Sequence, residues 1–163
     1  MNVYLCLGSN VGNSIHHLRI AIIELNDHPS IKVLKTSSLY ISKPVDASNQ
    51  NDFYNVALKI KTTLTPHHLL SVCKNIESHH QRKHLYHWGP RTLDIDILGF
   101  GNKHIITPLL TIPHREIVNR DFFIKPTLEI ENGLCLPGLG KLKKLPSPPK
   151  NVIDILYFDM LTT

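Results

Sequence analysis

With 163 residues the chain is long enough for one domain with a two-layer core, and it needs no disulfide or metal staple. Hydrophobic residues make up 42% and charged residues 19%, with no uncharged apolar run long enough to span a bilayer, which excludes a disordered chain and a helical membrane protein. A formal net charge of +5 favours an anionic partner: a nucleotide, a nucleic acid or a membrane surface.

Met1-Asn2-Val3-Tyr4-Leu5 enters a strand pattern at once and leaves no room for a charged leader, so a cytoplasmic protein is expected. Val3, Leu5 and Leu7 alternate with Tyr4 and Cys6, and the strand ends at Gly8-Ser9-Asn10. Helical spacing of Ile15, Leu18, Ala21, Ile22 and Leu25 predicts a helix over about 14–27, capped by Asn13 or Ser14. A second strand is expected over about 31–41 and a third over 53–61, with Phe53, Asn55 and Ala57 on one face and Tyr54, Val56, Leu58 and Ile60 on the other. The polar connection between them, 42–52, is long for a hairpin, and long connections inside compact domains are often functional. Thr65-Pro66 is a cap followed by Pro at the first helical position, opening a second helix with the stripe Leu69, Val72, Cys73 and Ile76.

A basic and aromatic loop, Arg82 to Trp88, then runs into Trp88-Gly89-Pro90-Arg91-Thr92-Leu93-Asp94-Ile95-Asp96-Ile97-Leu98. In a strand, Thr92, Asp94 and Asp96 share one face and Leu93, Ile95 and Ile97 the other, which sets two acids about 7 Å apart at the backbone. Carboxylates so placed suit Mg²⁺, which keeps several waters and takes further ligands from substrate phosphates. Acid pairs of this spacing also occur on solvated strand faces without metal. A short strand is expected around 104–106, then Ile112-Pro113-His114, Asn119-Arg120 and a helix from Asp121 that Pro126 interrupts or ends.

The order β-α-β-β-α-β predicts an α+β fold of the ferredoxin-like split βαβ kind, an antiparallel sheet with its helices on one face. The main unit is expected over 1–136. Residues 137–163, a Pro/Gly/Lys-rich segment and a short apolar tail, are either part of the same domain or a linker remnant. Cys6, Cys73 and Cys135 form no C-x-x-C and are expected in the core. His79, His80, His84 and His87 are expected as surface histidines on a helix end and loop rather than zinc ligands.

Together Leu7-Gly8-Ser9-Asn10, Ser37-Ser38-Leu39-Tyr40, Phe53-Tyr54-Asn55, the run Trp88 to Asp96, Ile112-Pro113-His114 and Asn119-Arg120 resemble, in order, the 6-hydroxymethyl-7,8-dihydropterin pyrophosphokinases. The resemblance spans about residues 3 to 130. It implies transfer of the β,γ-diphosphate of ATP to a pterin alcohol in folate biosynthesis, with AMP released. By that resemblance Asp94 and Asp96 hold two Mg²⁺ ions, and Arg82 and Arg91 act with them at the reacting phosphates. ATP is met by Glu77, Arg82, Trp88, Arg91, Ile97, His114 and Arg120. The pterin is met by Ser42, Lys43, Val45, Phe53, Asn55, Asp94 and Phe122, with Phe53 and Phe122 on its two faces and Asn55 offering donor and acceptor to its edge.

Glu77 is implied to orient loop residues, and Trp88 to form part of a lid. The chain departs from the family pattern at Gln81-Arg82-Lys83-His84, which keeps one lid Arg, at Asp46 and at Arg115. No nucleic acid or membrane partner is implied, whereas association or fusion with other folate-pathway enzymes is. Two other readings share the same residues. One is a ferredoxin-like RNA-binding module, which lacks an RNP1-like strand here; the other is a metal-dependent nuclease or phosphatase.

Overall fold

The structure, a computed structural model, describes residues 1–45, 49–80, 92–157 and 160. Strand β1 (Asn2–Ser9) leads to helix α1 (Ser14–Asp27), whose start is fixed by the Asn13 side chain accepting the His16 N–H. Strands β2 (Ile31–Thr36), β3 (Leu39–Ser42) and β4 (Phe53–Thr62) follow, then helix α2 (Pro66–His79), capped by Thr65 accepting from His68. Strand β5 (Asp94–Phe100) carries the acid pair, and β6 (Ile105–Ile106) and β7 (Thr111–Ile112) form a small hairpin. Beyond lie α3 (Asp121–Ile130), the ribbon of β8 (Cys135–Leu136) with β9 (Gly140–Lys141), and β10 (Val152–Leu156). Among the described residues no helix is long and apolar enough to cross a membrane.

The main sheet is antiparallel, in the order β10-β3-β4-β1-β5, with β2 pairing the far half of β4. Period-two alternation puts Val3, Leu5, Leu7, Val56, Leu58, Ile60, Ile95 and Ile97 on one face, where Leu18, Ile22 and Leu25 of α1 and Leu69, Cys73 and Ile76 of α2 bury them. Each such Leu or Ile contributes about 1.5–3 kcal/mol through burial. Tyr4, Cys6 and Leu98 point the other way, and Phe123 and Ile124 of α3 close that side. Helices therefore cover both faces of the sheet, not one, because the alternating residues of β1 are apolar on both sides.

Four further expectations are corrected. The strand expected over 31–41 breaks at Ser37-Ser38: Ser37 Oγ accepts the Ala57 N–H, and Glu129 of α3 accepts from Ser38 N, Ser38 Oγ and Tyr40 OH. Pairing slips by one residue there, so that Thr36 faces Leu58 but Tyr40 faces Asn55. Helix α3 runs through Pro126 to Ile130. Proline lacks the N–H that would reach the Phe122 carbonyl one turn earlier, and the Cys6 thiol donates to that carbonyl instead, at 3.6 Å. Lastly, Cys135 is exposed while Cys6 and Cys73 are buried, and His80 is buried against α1, its Nδ1 2.7 Å from His17 Nδ1. The C-terminal strand β10 extends the main sheet at β3 and buries Val152.

Candidate active site

The site forms on the α3 side of the sheet, where β4, β1 and β5 lie in register. Asn55 faces Gly8, Gly8 faces Asp94, and Cys6 faces Asp96. Residues opposite one another share a face, so one short stretch of three strands presents Asn55, Asp94 and Asp96 together. Gly8 leaves the space between them: a Cβ there would stand 3.2 Å from Asn55 Oδ1. The turn after β1 is tied to the segment before β4, since Asn10 donates to Gln50 Oε1 and to the Asn51 carbonyl.

A cavity with about 530 Å³ of space, partly open to solvent, lies over this face. All seven residues assigned to the pterin by resemblance line it: Ser42, Lys43, Val45, Phe53, Asn55, Asp94 and Phe122. The structure adds Cys6, Gly8, Asp96, Arg120 and Phe123. Asn55 is buried, and its amide group donates both hydrogens internally, to the Tyr40 carbonyl at 3.2 Å and to Ser42 Oγ at 2.8 Å. Carbonyls only accept, so these bonds fix the orientation of the amide and leave its oxygen as the group offered to a ligand. Within the protein both amide hydrogens of Asn55 are thus taken up, and its oxygen is the polar atom it keeps for a ligand.

A second, larger cavity, about 1320 Å³ including open solvent, lies at the outer edge of β5 and is lined by Glu77, Ile97, His114 and Arg120 of the ATP set. Asp94, Asp96 and Arg120 belong to both cavities. Glu77 is buried, and its Oε2 accepts the Ile95 N–H at 2.8 Å, holding the edge of β5 between the two acids. Lys74, one helical turn before Glu77, and Thr107 to Thr111 around the β6-β7 hairpin complete the lining with Arg115 and Glu116. Lys74 could have been found by its i, i+3 spacing from Glu77; the hairpin residues carry no such signal. Arg82, Trp88 and Arg91, with the rest of the expected lid, lie outside the described residues.

His114 follows the cis Ile112–Pro113 bond, and its backbone N–H donates to the Leu98 carbonyl at the end of β5. Its Nδ1 accepts the Glu116 N–H, so the ring proton sits on Nε2, 3.4 Å from Asp96 Oδ1. Burial opposes charge on Asp96, but contact with His114, the Arg120 guanidinium and a hydrogen bond with Asp94 outweigh it and hold the carboxyl below its usual range. Arg120 is itself placed over aromatic rings, 5.7 Å from the centre of Phe122 and 5.2 Å from that of Phe123. The buried Cys6 thiol beneath the acids is pushed far up by burial and by their charge, which leaves it a neutral donor.

Among the described residues no group of three His, Cys, Asp or Glu side chains forms a protein-only metal cage. Two carboxyls on one strand face, open to two cavities, still fit Mg²⁺, which takes one or two carboxylates and fills its octahedron with water and phosphate oxygens.

A profile of the family described as 7,8-dihydro-6-hydroxymethylpterin-pyrophosphokinase matches residues 4–132. The 2-amino-4-hydroxy-6-hydroxymethyldihydropteridine pyrophosphokinase of Aquifex aeolicus is 44% identical over 135 residues, 83% of this chain and 83% of its own. That of Haemophilus influenzae is 40% identical over 138 residues, 85% of this chain and 86% of its own. The bifunctional protein FolKE of Lactococcus lactis is 44% identical over 127 residues, and this chain spans only 36% of its length. In a solved structure, Plasmodium falciparum HPPK-DHPS with pterin and p-hydroxybenzoate superposes with a TM-score of 0.65 over 88% of this chain and 42% of the other. At 18% identity that likeness shows the fold, an antiparallel sheet with three helices.

Proposed function

The chain belongs to the 7,8-dihydro-6-hydroxymethylpterin-pyrophosphokinase family, and from that premise we propose that it moves the diphosphate of ATP onto 6-hydroxymethyl-7,8-dihydropterin. The hydroxymethyl oxygen bonds to the β-phosphorus in line with the departing bridge to the α-phosphate. AMP leaves, the hydroxyl proton is lost, and the pterin carries the diphosphate. The observation that carries this reading is the meeting of two unlike cavities at Asp94, Asp96 and Arg120.

In the smaller cavity Phe53 and Phe122 take the faces of the flat ring, and the Asn55 oxygen accepts from an N–H on its edge. The larger cavity takes the nucleotide, with His114 Nε2–H and Arg120 donating to phosphate oxygens near Asp96. Two Mg²⁺ ions, when bound by Asp94 and Asp96, neutralise the charge spread over the transferring group. What these side chains supply is position: they bring hydroxyl and β-phosphorus together with no covalent intermediate. The sheet order supports a ferredoxin-like core, and the pairing of β10 with β3 supports counting 137–163 in the same domain. The bifunctional relatives support association with further enzymes of folate synthesis.

The test is product analysis with purified protein, Mg²⁺, ATP and 6-hydroxymethyl-7,8-dihydropterin. AMP should accumulate only when the pterin is present. ADP, free phosphate or pterin-independent turnover would sink the reading.

A further inference from the structure

Phe122 and Arg120 line the smaller cavity from the start of α3, and Asp121 between them does not. Asp121 is 2% exposed, and its Oδ2 accepts two backbone hydrogen bonds of 2.9 Å, from Asn151 and Val152. The Asn151 carbonyl in turn accepts the Lys43 N–H at 2.9 Å. Lys43 and Ser42 form another wall of the same cavity. These links make a bridge, α3 to Asn151 to Lys43, that joins two walls of the ring slot at the point where β10 begins to pair with β3. Charge-assisted bonds to backbone N–H groups are short and directional, which suits a clasp.

Two features argue that Asp121 does more than start a helix. Arg120, not Asp121, holds the N-cap place, and the Asp121 side chain accepts no N–H of its own helix among the described bonds. Among the described residues its other oxygen, Oδ1, is buried with no hydrogen-bond partner, an arrangement that is unfavourable for stability alone. The exposed Lys125 ammonium, 3.9 Å from Oδ2, is the cation paired with it.

We propose that Asp121 is a positioning residue for the pterin site: by gripping Asn151 and Val152 it fixes the distance between Phe122 and the Ser42–Lys43 wall. The C-terminal segment thereby sets the width of the ring slot. This rests on the assignment of the smaller cavity to the pterin.

The experiment titrates 6-hydroxymethylpterin in the presence of Mg²⁺ and α,β-methylene-ATP, and the nucleotide analogue alone, into wild type, Asp121→Ala and Asp121→Asn. Asp121→Ala should weaken pterin binding about tenfold, the loss of roughly one strong hydrogen bond, with nucleotide affinity within about twofold. Asp121→Asn keeps an oxygen that can accept both N–H groups and should restore pterin binding. Amide exchange at Lys43 should quicken in the Ala variant and not in the Asn variant. Equal weakening of both ligands, unchanged pterin affinity or unchanged Lys43 exchange in Asp121→Ala overturns the proposal. If that variant does not fold, Asn151→Pro, which deletes one donor, decides: selective pterin weakening supports the clasp and unchanged pterin binding refutes it. A wild type that binds nucleotide but no pterin refutes the cavity assignment itself, and the clasp with it.

Discussion

The two cavities that meet at the acid pair are built on opposite principles. The smaller is a product of sheet register: Asn55, Gly8 and Asp94 stand side by side because β4, β1 and β5 pair without a slip at that level. The larger is a product of edges and turns, bounded by the outer rim of β5, the end of α2, the β6-β7 hairpin and the turn carrying His114. A flat ring needs fixed faces and a fixed acceptor, which a sheet floor supplies. A polyphosphate needs donors and charge around a solvated, open space, which loops and helix ends supply.

That contrast can be broken at the junction or sharpened on either side. Asp96→Ala should do most, cutting turnover by about 1,000-fold, equivalent to roughly 4 kcal/mol of transition-state stabilisation, in a protein whose circular dichroism is unchanged. Normal turnover in the folded variant would remove Asp96 from the chemistry. Phe122→Ala should act on one cavity only, weakening pterin binding by roughly 2 kcal/mol and nucleotide binding little; equal losses would mean the cavities do not divide the ligands. Glu77→Ala leaves the Ile95 N–H without its buried acceptor and should cost about 2 kcal/mol in urea unfolding.

Cys6→Ala should cost about 1 kcal/mol or less, by orphaning the Phe122 carbonyl. Away from both cavities, His17 and His80 are held below the ordinary histidine value of 6.5, in each case first because burial disfavours the imidazolium; Glu24 opposes this at His80. The unfolded chain therefore takes up protons before the folded one does. Stability present above pH 6.5 should fall as the pH drops through the folded values, and His80→Gln should flatten that fall in melting scans.

The acid pair was legible because alternation in a strand is a local rule, and Leu93, Ile95 and Ile97 are buried as their apolar character demands. The same holds for Phe53 and Asn55, and for both helix caps. What could not be read depended on distant partners. Ser37-Ser38 breaks a strand because Glu129, 91 positions after Ser38, collects the Ser38 donors. Pro126 sits inside a helix because a thiol on β1 serves the carbonyl that proline leaves open. His80 looked like a surface residue because nothing in its neighbourhood along the chain announces His17 across the helix pair. Likewise the Asn55 amide looked two-faced until Tyr40 and Ser42 were seen to take both of its hydrogens.

The most direct measurement follows ATP labelled with ³²P at the β-phosphorus through one round of reaction with 6-hydroxymethyl-7,8-dihydropterin and Mg²⁺. If the two cavities bring hydroxyl and β-phosphorus together, the label ends in the pterin ester, with unlabelled AMP formed in equal amount. Label recovered in ADP, inorganic phosphate or free diphosphate would contradict the account.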